Sequence, residues 1–326
     1  MSEPAGGRMS RALVLKRFGE LPRLVERPVP DRPPGHTLIR VRAAQVGHLD
    51  LNVVEGRFGI LPDLPSVPGT EAAGVVVESD VHPEGLPVRF RGGGAGLKRD
   101  GGWAEHTVVR DSAVVPVPEG IDPALACCFF SPAGTAQLAV HSVAAVRPGE
   151  RVAVTGAAGA VGTLAVQLAA RAGAEVVGVV GRESKLPHVP ASAKAILASE
   201  LAESSVDPFD AVIDTVGGPV LTAMLGQVRG GGRVALVGYT AGRDFRADLA
   251  DFLLADVSLL PVNLIRRGEE VAEDAARLLT ELSAGELTLP IERYPAERLA
   301  EAAERLRTGE AIGKVALYFD DRASED

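Results

Sequence analysis

The stretch Arg151-Val-Ala-Val-Thr155-Gly156-Ala157-Ala158-Gly159-Ala160-Val161-Gly162 decides how this chain is read. Arg151 to Thr155 is a short apolar strand, and only small residues and one valine follow it. They spell Ala157-x-Gly159-x-x-Gly162, a dinucleotide fingerprint with alanine in the first glycine place. Small residues let the backbone turn tightly and approach a pyrophosphate. The helix that follows offers free N–H groups and its positive dipole end. In a chain with 37 glycines such a pattern is weak alone, but its context is right. Val161, Leu164, Ala165, Leu168 and Ala169 share one helical face, and Ala174 to Val180 supplies the next strand. Ala158, Gly159, Ala160, Val161 and Gly162 are therefore candidate cofactor-binding residues.

Around this core, strands and helices alternate. Ser131 to Val146 has helical spacing. Ala160 to Ala172 and Pro219 to Val228 read as helices, and Val152 to Thr155, Ala211 to Thr215 and Arg233 to Val237 as strands. That alternation predicts an α/β fold, a doubly wound parallel sheet. Upstream, Ala12 to Leu15, Thr37 to Ala43, Ala72 to Glu78, Trp103 to Val109 and Ala113 to Val117 are short strands punctuated by Gly and Pro, an all-β module. Arg91-Gly-Gly-Gly-Ala-Gly96 lacks the Lys-Ser/Thr pair of a phosphate loop and reads as a connection between barrel strands. Downstream come a strand-like piece (Val257 to Leu264), a helix (Glu269 to Ser283), a strand (Leu289 to Tyr294), a helix (Ala296 to Arg307) and a strand (Lys314 to Phe319). The expected division is 1–122 for the β module, 123–260 for the nucleotide-binding domain, and 261–326 returning to the first. Met1 to Arg8 reads as a disordered extension and Asp320 to Asp326 as a frayed acidic tail.

Composition narrows the function. With 46% hydrophobic and 24% charged residues the chain is an ordinary globular one. A net charge of -9 without a dense Lys/Arg run argues against nucleic acid or an anionic membrane as partner. No apolar run approaches the ~18 residues of a membrane span, and no signal-peptide core is apparent, so a cytoplasmic location is expected. The two cysteines are neighbours, Cys127 and Cys128, and read as buried thiols rather than a disulfide or a zinc lobe.

Six short motifs, in order, carry a wider likeness: Val67-Pro-Gly69-Thr70-Glu71-Ala-Ala-Gly74; Gly101-Gly-Trp103-Ala-Glu-His106; the Gly156 to Gly162 turn; Phe209-Asp-Ala-Val-Ile-Asp214-Thr-Val-Gly217; Gly231-Gly-Arg-Val-Ala-Leu-Val-Gly238; and Ile312-Gly-Lys314-Val-Ala-Leu317. From about Met9 to Phe319 the chain resembles the medium-chain dehydrogenase/reductase family, within it the zinc-independent quinone oxidoreductase group. The resemblance implies a GroES-like β module split around a Rossmann domain, with the active site in the cleft between them. Where zinc-dependent relatives carry metal ligands, this chain has Gly47, Thr70 and Ser131. None is a nitrogen or sulfur ligand, and an open catalytic zinc site needs about three protein ligands, so no metal site is expected.

A second departure lies in the substrate stretch. Quinone reductases of the group carry Asn-x-x-Asp-x-Tyr there; this chain reads Gly47-His48-Leu49-Asp50-Leu51-Asn52, then Phe58. Asp50 is retained, Asn52 stands in a tyrosine place, and His48 is a candidate proton donor because imidazole titrates near neutrality. A hydrogen-bonded loop histidine is the plainer reading. Tyr239, just past a carboxyl strand end, is a comparable candidate. His48, Asp50, Asn52 and Tyr239 form the candidate catalytic set.

Cofactor choice is read about 20 residues past the glycine turn, where an acidic residue accepts the ribose 2′-hydroxyl in NAD-preferring folds. Here the chain reads Gly181-Arg182-Glu183-Ser184-Lys185. A planar guanidinium, a hydroxyl and a second cation suit a 2′-phosphate, with Glu183 the contrary residue, so NADPH is the expected cofactor. Thr135, Val216, Gly217, Val237, Gly238 and Tyr239 complete the candidate cofactor set. The expected activity is hydride transfer to a quinone or an α,β-unsaturated carbonyl, a small-molecule substrate. The Ala/Arg/Gly/Pro-rich composition is associated with GC-rich genomes and secondary metabolism. The alternatives are an enoyl-thioester reductase on CoA- or carrier-bound chains, and a non-catalytic NADPH-binding protein. The apolar piece Val257 to Leu264 reads as a sheet edge that two copies would pair across, so a homodimer is expected.

Overall fold

The computed structural model describes residues 8–201, 207–246 and 248–319. Residues 1–7 of the expected extension and the whole expected acidic tail lie outside them. In order, the elements are β1 (Met9–Val14), β2 (Arg23–Pro28), β3 (His36–Val46), α1 (His48–Val54), β4 (Glu71–Glu78), β5 (Pro87–Arg91), β6 (His106–Arg110), β7 (Val114–Pro116) and α2 (Pro123–Cys128). Then follow α3 (Phe130–Gln137), β8 (Arg151–Thr155), α4 (Ala160–Arg171), β9 (Glu175–Val180), β10 (Lys194–Leu197), β11 (Phe209–Asp214), α5 (Gly218–Leu225), β12 (Val228–Leu236), α6 (Leu249–Ala255) and β13 (Ser258–Pro261). The chain closes with α7 (Leu264–Arg267), α8 (Ala272–Ser283), β14 (Ile291–Pro295), α9 (Leu299–Arg307) and β15 (Lys314–Tyr318).

Two compact units divide the chain. One takes the residues up to Cys128 and those from Ile291 onward; the other is Phe129–Pro290. In the first, antiparallel strands run β14-β15-β3-β4-β5-β7, β6 also pairs β3, and β1 pairs β2. β14 and β15 pair in parallel. The inward residues Ile39, Val41, Phe90, Trp103, Val315 and Leu317 form the core, and α9 covers it with Leu299, Ala302, Ala303 and Leu306. β3 and β4 are buried along most of their length, because α2 packs on both of them as well.

The second unit holds a parallel sheet in the order β10-β9-β8-β11-β12-β13. Counted from β8 as first strand, this is the 3-2-1-4-5-6 order of a dinucleotide-binding sheet, and the direction of winding reverses between β8 and β11. Its strands are nearly uniformly apolar because helices cover both faces: β9 buries Val176, Val177, Val179 and Val180.

The structure corrects the sequence reading in places. β2, β5 and β10 were not anticipated. β2 has no fully buried residue, so it lacks a hydrophobic alternation to read, and β10 is a four-residue edge. The helix expected over 131–146 is α3 followed by a wider π turn over Leu138–Val143. The strand expected over 257–264 shrinks to β13, because Asn263 accepts the Arg266 N–H (3.1 Å) and starts α7. Residues 261–290, expected to return to the β module, belong to the Phe129–Pro290 unit. α8 buries Ala275, Leu278, Leu279 and Leu282 and packs on α3 there.

Candidate active site

The glycine turn is built by crowding on its inner side. Gly156 adopts φ +62. A Cβ on Gly162 would lie 2.1 Å from the Gly156 carbonyl oxygen, so only glycine lets α4 start this close to β8. The outer side is open: a Cβ on Gly159 would meet only the Gly156 oxygen, at 3.2 Å, and one on Gly181 would meet nothing within 4 Å. Gly159 caps α4 without a side chain. The first intrahelical bond runs from Thr163 N–H to the Gly159 carbonyl, 2.8 Å, which leaves the N–H groups of Ala160, Val161 and Gly162 to serve an anion. Ala158 is fully buried beneath the turn. This cradle fits a dinucleotide pyrophosphate.

The next two strands complete the rim. Ala157 N–H donates to the Val179 carbonyl (3.2 Å), so the turn stays in register with the end of β9. Gly181 and Arg182 follow at once, and Lys185 N–H donates to the Arg182 carbonyl (3.0 Å) to close a 3₁₀ turn. Arg182 and Ser184 are exposed and Lys185 is half-buried. The structure thus brings the expected phosphate-binding residues to the strand end beside the glycine turn.

A buried carboxylate that the sequence reading passed over ties this rim together. Asp214, at the end of β11, accepts the Thr155 hydroxyl (2.6 Å) through Oδ1 and the Gly217 N–H (2.9 Å) through Oδ2. Its carbonyl takes the Val237 N–H at 2.8 Å. Desolvation pushes its carboxyl above the usual range, against the hydrogen bonds it accepts. One residue so ties together the ends of β8, β11 and β12 at the winding reversal, the first by its side chain and the last by its carbonyl. The signal was an acid closing the apolar run Ala211 to Asp214. The Ala241 N–H donates to the Val216 carbonyl (2.7 Å), and a Cβ on Gly217 would sit 2.9 Å from the Gly238 carbonyl oxygen. Val216, Gly217, Val237, Gly238 and Tyr239 therefore converge. Tyr239 is 64% exposed, with the Arg243 guanidinium 5.7 Å from its ring centre. Thr135 lies half-buried on α3, which packs on α4.

The other unit presents a different site. α1 begins at His48, with Gly47 as its cap. Asp50, put forward for catalysis, is only 1% exposed and works as a joint. Its Oδ2 accepts Gly47 N–H (2.9 Å); its Oδ1 accepts Thr70 N–H (2.9 Å) and the Thr70 hydroxyl (2.8 Å). Desolvation pushes its carboxyl up to about 6, opposed by those bonds and assisted by the Glu71 charge. His48 is exposed as a residue, yet neighbours strip water from its ring. That desolvation, then the Lys314 charge, lowers its pKa below 6.5 and favours neutral imidazole. Asn52 is half-buried on α1 and its carbonyl accepts Arg57 N–H at 2.8 Å; Phe58 is half-buried just beyond. Lys314 Nζ donates to Gln45 Oε1 (2.7 Å), and the Gln45 carbonyl accepts the Trp103 indole N–H (2.8 Å).

Gly47 and Thr70 thus belong to a network around Asp50, and Ser131 sits half-buried on α3. Among the described residues, no group of three or more His, Cys, Asp and Glu is placed to hold a metal ion. Cys127 and Cys128 are buried free thiols, the first with its pKa raised chiefly by desolvation.

A 3-2-1-4-5-6 sheet with a glycine cradle, in one chain with an antiparallel β unit, defines a dinucleotide-dependent oxidoreductase. Residues 33–119 match the family model of the alcohol dehydrogenase GroES-like domain, and residues 188–317 that of zinc-binding dehydrogenase. The chain is 32% identical over 264 residues to acrylyl-CoA reductase AcuI of Ruegeria pomeroyi, covering 75% of this chain and 80% of that one. It is 28% identical over 332 residues to the quinone oxidoreductase of Homo sapiens, covering 96% and 99%. The solved yhdH oxidoreductase of Salmonella enterica in complex with NADP aligns at TM-score 0.78 and 27% identity, over 95% of this chain and 100% of that one. The chain belongs to the medium-chain dehydrogenase/reductase superfamily, in its zinc-independent, quinone oxidoreductase-like group.

Proposed function

We propose that this oxidoreductase uses NADPH to reduce an α,β-unsaturated carbonyl or a quinone without a metal. The observation that carries the cofactor choice is the run Gly181 to Lys185 at the end of β9, beside the N-terminus of α4. Arg182 would grip the 2′-phosphate with its planar fork, Lys185 would add a point charge, and Ser184 would donate a hydrogen bond. Ala160, Val161 and Gly162 would hold the pyrophosphate, and the Val216–Gly217 and Val237–Tyr239 segments the nicotinamide half. When bound, the cofactor supplies a hydride. The protein's part is to orient it, exclude water and steady the charge that develops on the substrate oxygen. In the β unit, His48 and Asn52 are the polar groups offered to the substrate, with Asp50 as a positioning residue that fixes His48 through the start of α1.

Arg182→Ala should raise KM for NADPH about tenfold, equivalent to ~1.4 kcal/mol, and change KM for NADH much less. Steady-state assays with both cofactors measure this; an equal loss for both, or a wild-type preference for NADH, retires the assignment. Reduction of a CoA enoyl thioester is the second reading, favoured by the likeness to a protein named acrylyl-CoA reductase. A panel of quinones, enones and enoyl-CoA esters separates the two.

The same reading includes a homodimer. β13 ends the parallel sheet, and Leu253 and Leu254 on α6 before it and Ile265 on α7 after it are 70%, 85% and 89% exposed. An unpaired edge flanked by bare leucines needs a cover, and a second β13 across a two-fold axis supplies one. Light scattering at micromolar concentration should give twice the chain mass; a monomer rules the dimer out.

A further inference from the structure

Lys314 opens β15 inside a motif that the cofactor site does not use. It is half-buried and stands in the β unit. β15 runs antiparallel to β3 with Val315 opposite Val46. Continuing that register by one residue puts Lys314 opposite Gly47, the cap of α1 and the residue just before His48. The Lys314–Gln45 bond of 2.7 Å agrees with this placement. Gln45 is itself held, 5% exposed, with its carbonyl on the Trp103 indole and its Nε2 within 3.7 Å of where a Gly47 Cβ would be.

The neighbourhood leaves this cation with a neutral partner. Gln45 carries no charge, and the buried carboxylate of Asp50 spends its oxygens on Gly47 and Thr70. The other titratable groups in this region are Glu71, bonded to Arg91 at 3.0 Å, and His48, whose imidazole the Lys314 charge helps to hold neutral. An ammonium fixed by an amide, rather than neutralised by a carboxylate, keeps most of its field for a third group.

We infer that the Lys314 ammonium, aimed by Gln45, binds the carbonyl oxygen of the substrate and stabilises the negative charge that oxygen acquires. The inference rests on the enone or quinone reading above. In the enone reaction the β-carbon gains hydrogen with its electron pair from the reduced nicotinamide, which is oxidised. The C=C π pair moves toward the carbonyl, the carbonyl π pair moves to oxygen, and a proton from water at the α-carbon completes the saturated product. Lys314 keeps its proton throughout and acts as a hydrogen-bond donor and charge.

Two measurements test this on the full-length protein. In the first, Lys314→Met should lower kcat/KM for enone by about 10²- to 10³-fold, as loss of one oxyanion donor does. Lys314→Arg should recover most of it, and NADPH affinity by fluorescence titration should stay within about twofold, since the cofactor residues lie in the other unit. In the second, 4-nitrophenol is titrated without turnover and read by phenolate absorbance. Wild type should bind the phenolate about tenfold or more tightly than Lys314→Met, and Lys314→Arg should resemble wild type. Equal phenolate affinity in wild type and Lys314→Met overturns the inference, as does an enone rate that falls less than about threefold. If wild type reduces no enone or quinone yet binds phenolate through Lys314, the functional reading fails and the oxyanion site stands.

Discussion

The two units hold their functional groups by different means. In the Phe129–Pro290 unit the cradle is backbone: glycines at 156, 159 and 162 and the bare start of α4. In the β unit it is side chains, drawn from β3, α1, the loop before β4, and β15, which are far apart in the chain. A backbone site is written in consecutive residues, because only glycine or alanine fits where chain meets chain. A side-chain site is written in pairs that only the fold brings together. Substitutions should therefore fail differently in the two.

The largest expected effect falls on the backbone site. Gly162→Ala sets a Cβ 2.1 Å from the Gly156 carbonyl oxygen, and neither partner has a side chain that can swing aside. The turn must shift, so overpacking should destabilise the protein by about 1–3 kcal/mol. A displacement near 1 Å at the reacting groups should also lower kcat/KM by about 10²-fold. Thermal unfolding and NADPH titration on the variant check both. Gly159→Ala, whose Cβ meets its nearest atom at 3.2 Å, should be far milder. Equal damage from the two would mean the turn is not set by crowding.

The same contrast explains what was legible. The strand, turn and helix over 151–171 were readable because hydrophobic period, small residues and capping agree locally. The parallel sheet followed from the alternation of strands and helices; its strand order did not. By contrast, β2 buries no side chain fully, so no pattern marks it. Asp50 was legible as a residue but not as a joint, since its partner Thr70 is 20 positions away. Gln45 and Lys314 are separated by 269 positions, and nothing local in either announces the other. Asp214 hid for a different reason: an acid at the end of a buried strand reads as a boundary until its bonds to Thr155 and Gly217 are seen.

The next effect in size probes the side-chain site through pH. Asp50 ionises at about 6 in the folded chain against 3.8 ordinarily, because burial outweighs the hydrogen bonds it accepts. As pH rises, the unfolded chain releases this proton first. The stability contributed by the protonated group is thus complete below about pH 4 and lost as pH passes through about 6, a swing of ~3 kcal/mol. Asp50→Asn cannot titrate. The difference in unfolding free energy, wild type minus variant, should therefore shrink by ~3 kcal/mol between pH 4 and pH 7 in urea melts. A flat difference would show that water reaches the carboxylate, and the β-unit site would then be open ground rather than a buried frame.

The smallest effect asks whether the Phe129–Pro290 unit relies on side chains at all at its rim. Tyr239 stands where Val216, Gly217 and Gly238 converge, and its ring, not its hydroxyl, makes the contact on view, with Arg243 at 5.7 Å. An exposed cation–π pair is worth ~0.5–1 kcal/mol, a factor of about two to five. Tyr239→Ala should weaken NADPH binding by that factor, while Tyr239→Phe, which keeps the ring, should leave both binding and kcat within about twofold. If instead Tyr239→Phe lowers kcat by the ~10²–10⁴-fold of a lost general acid, the hydroxyl is the proton donor. The chemistry of this unit would then rest on a side chain at a strand end as well as on a backbone turn, and the division between the two units would no longer hold.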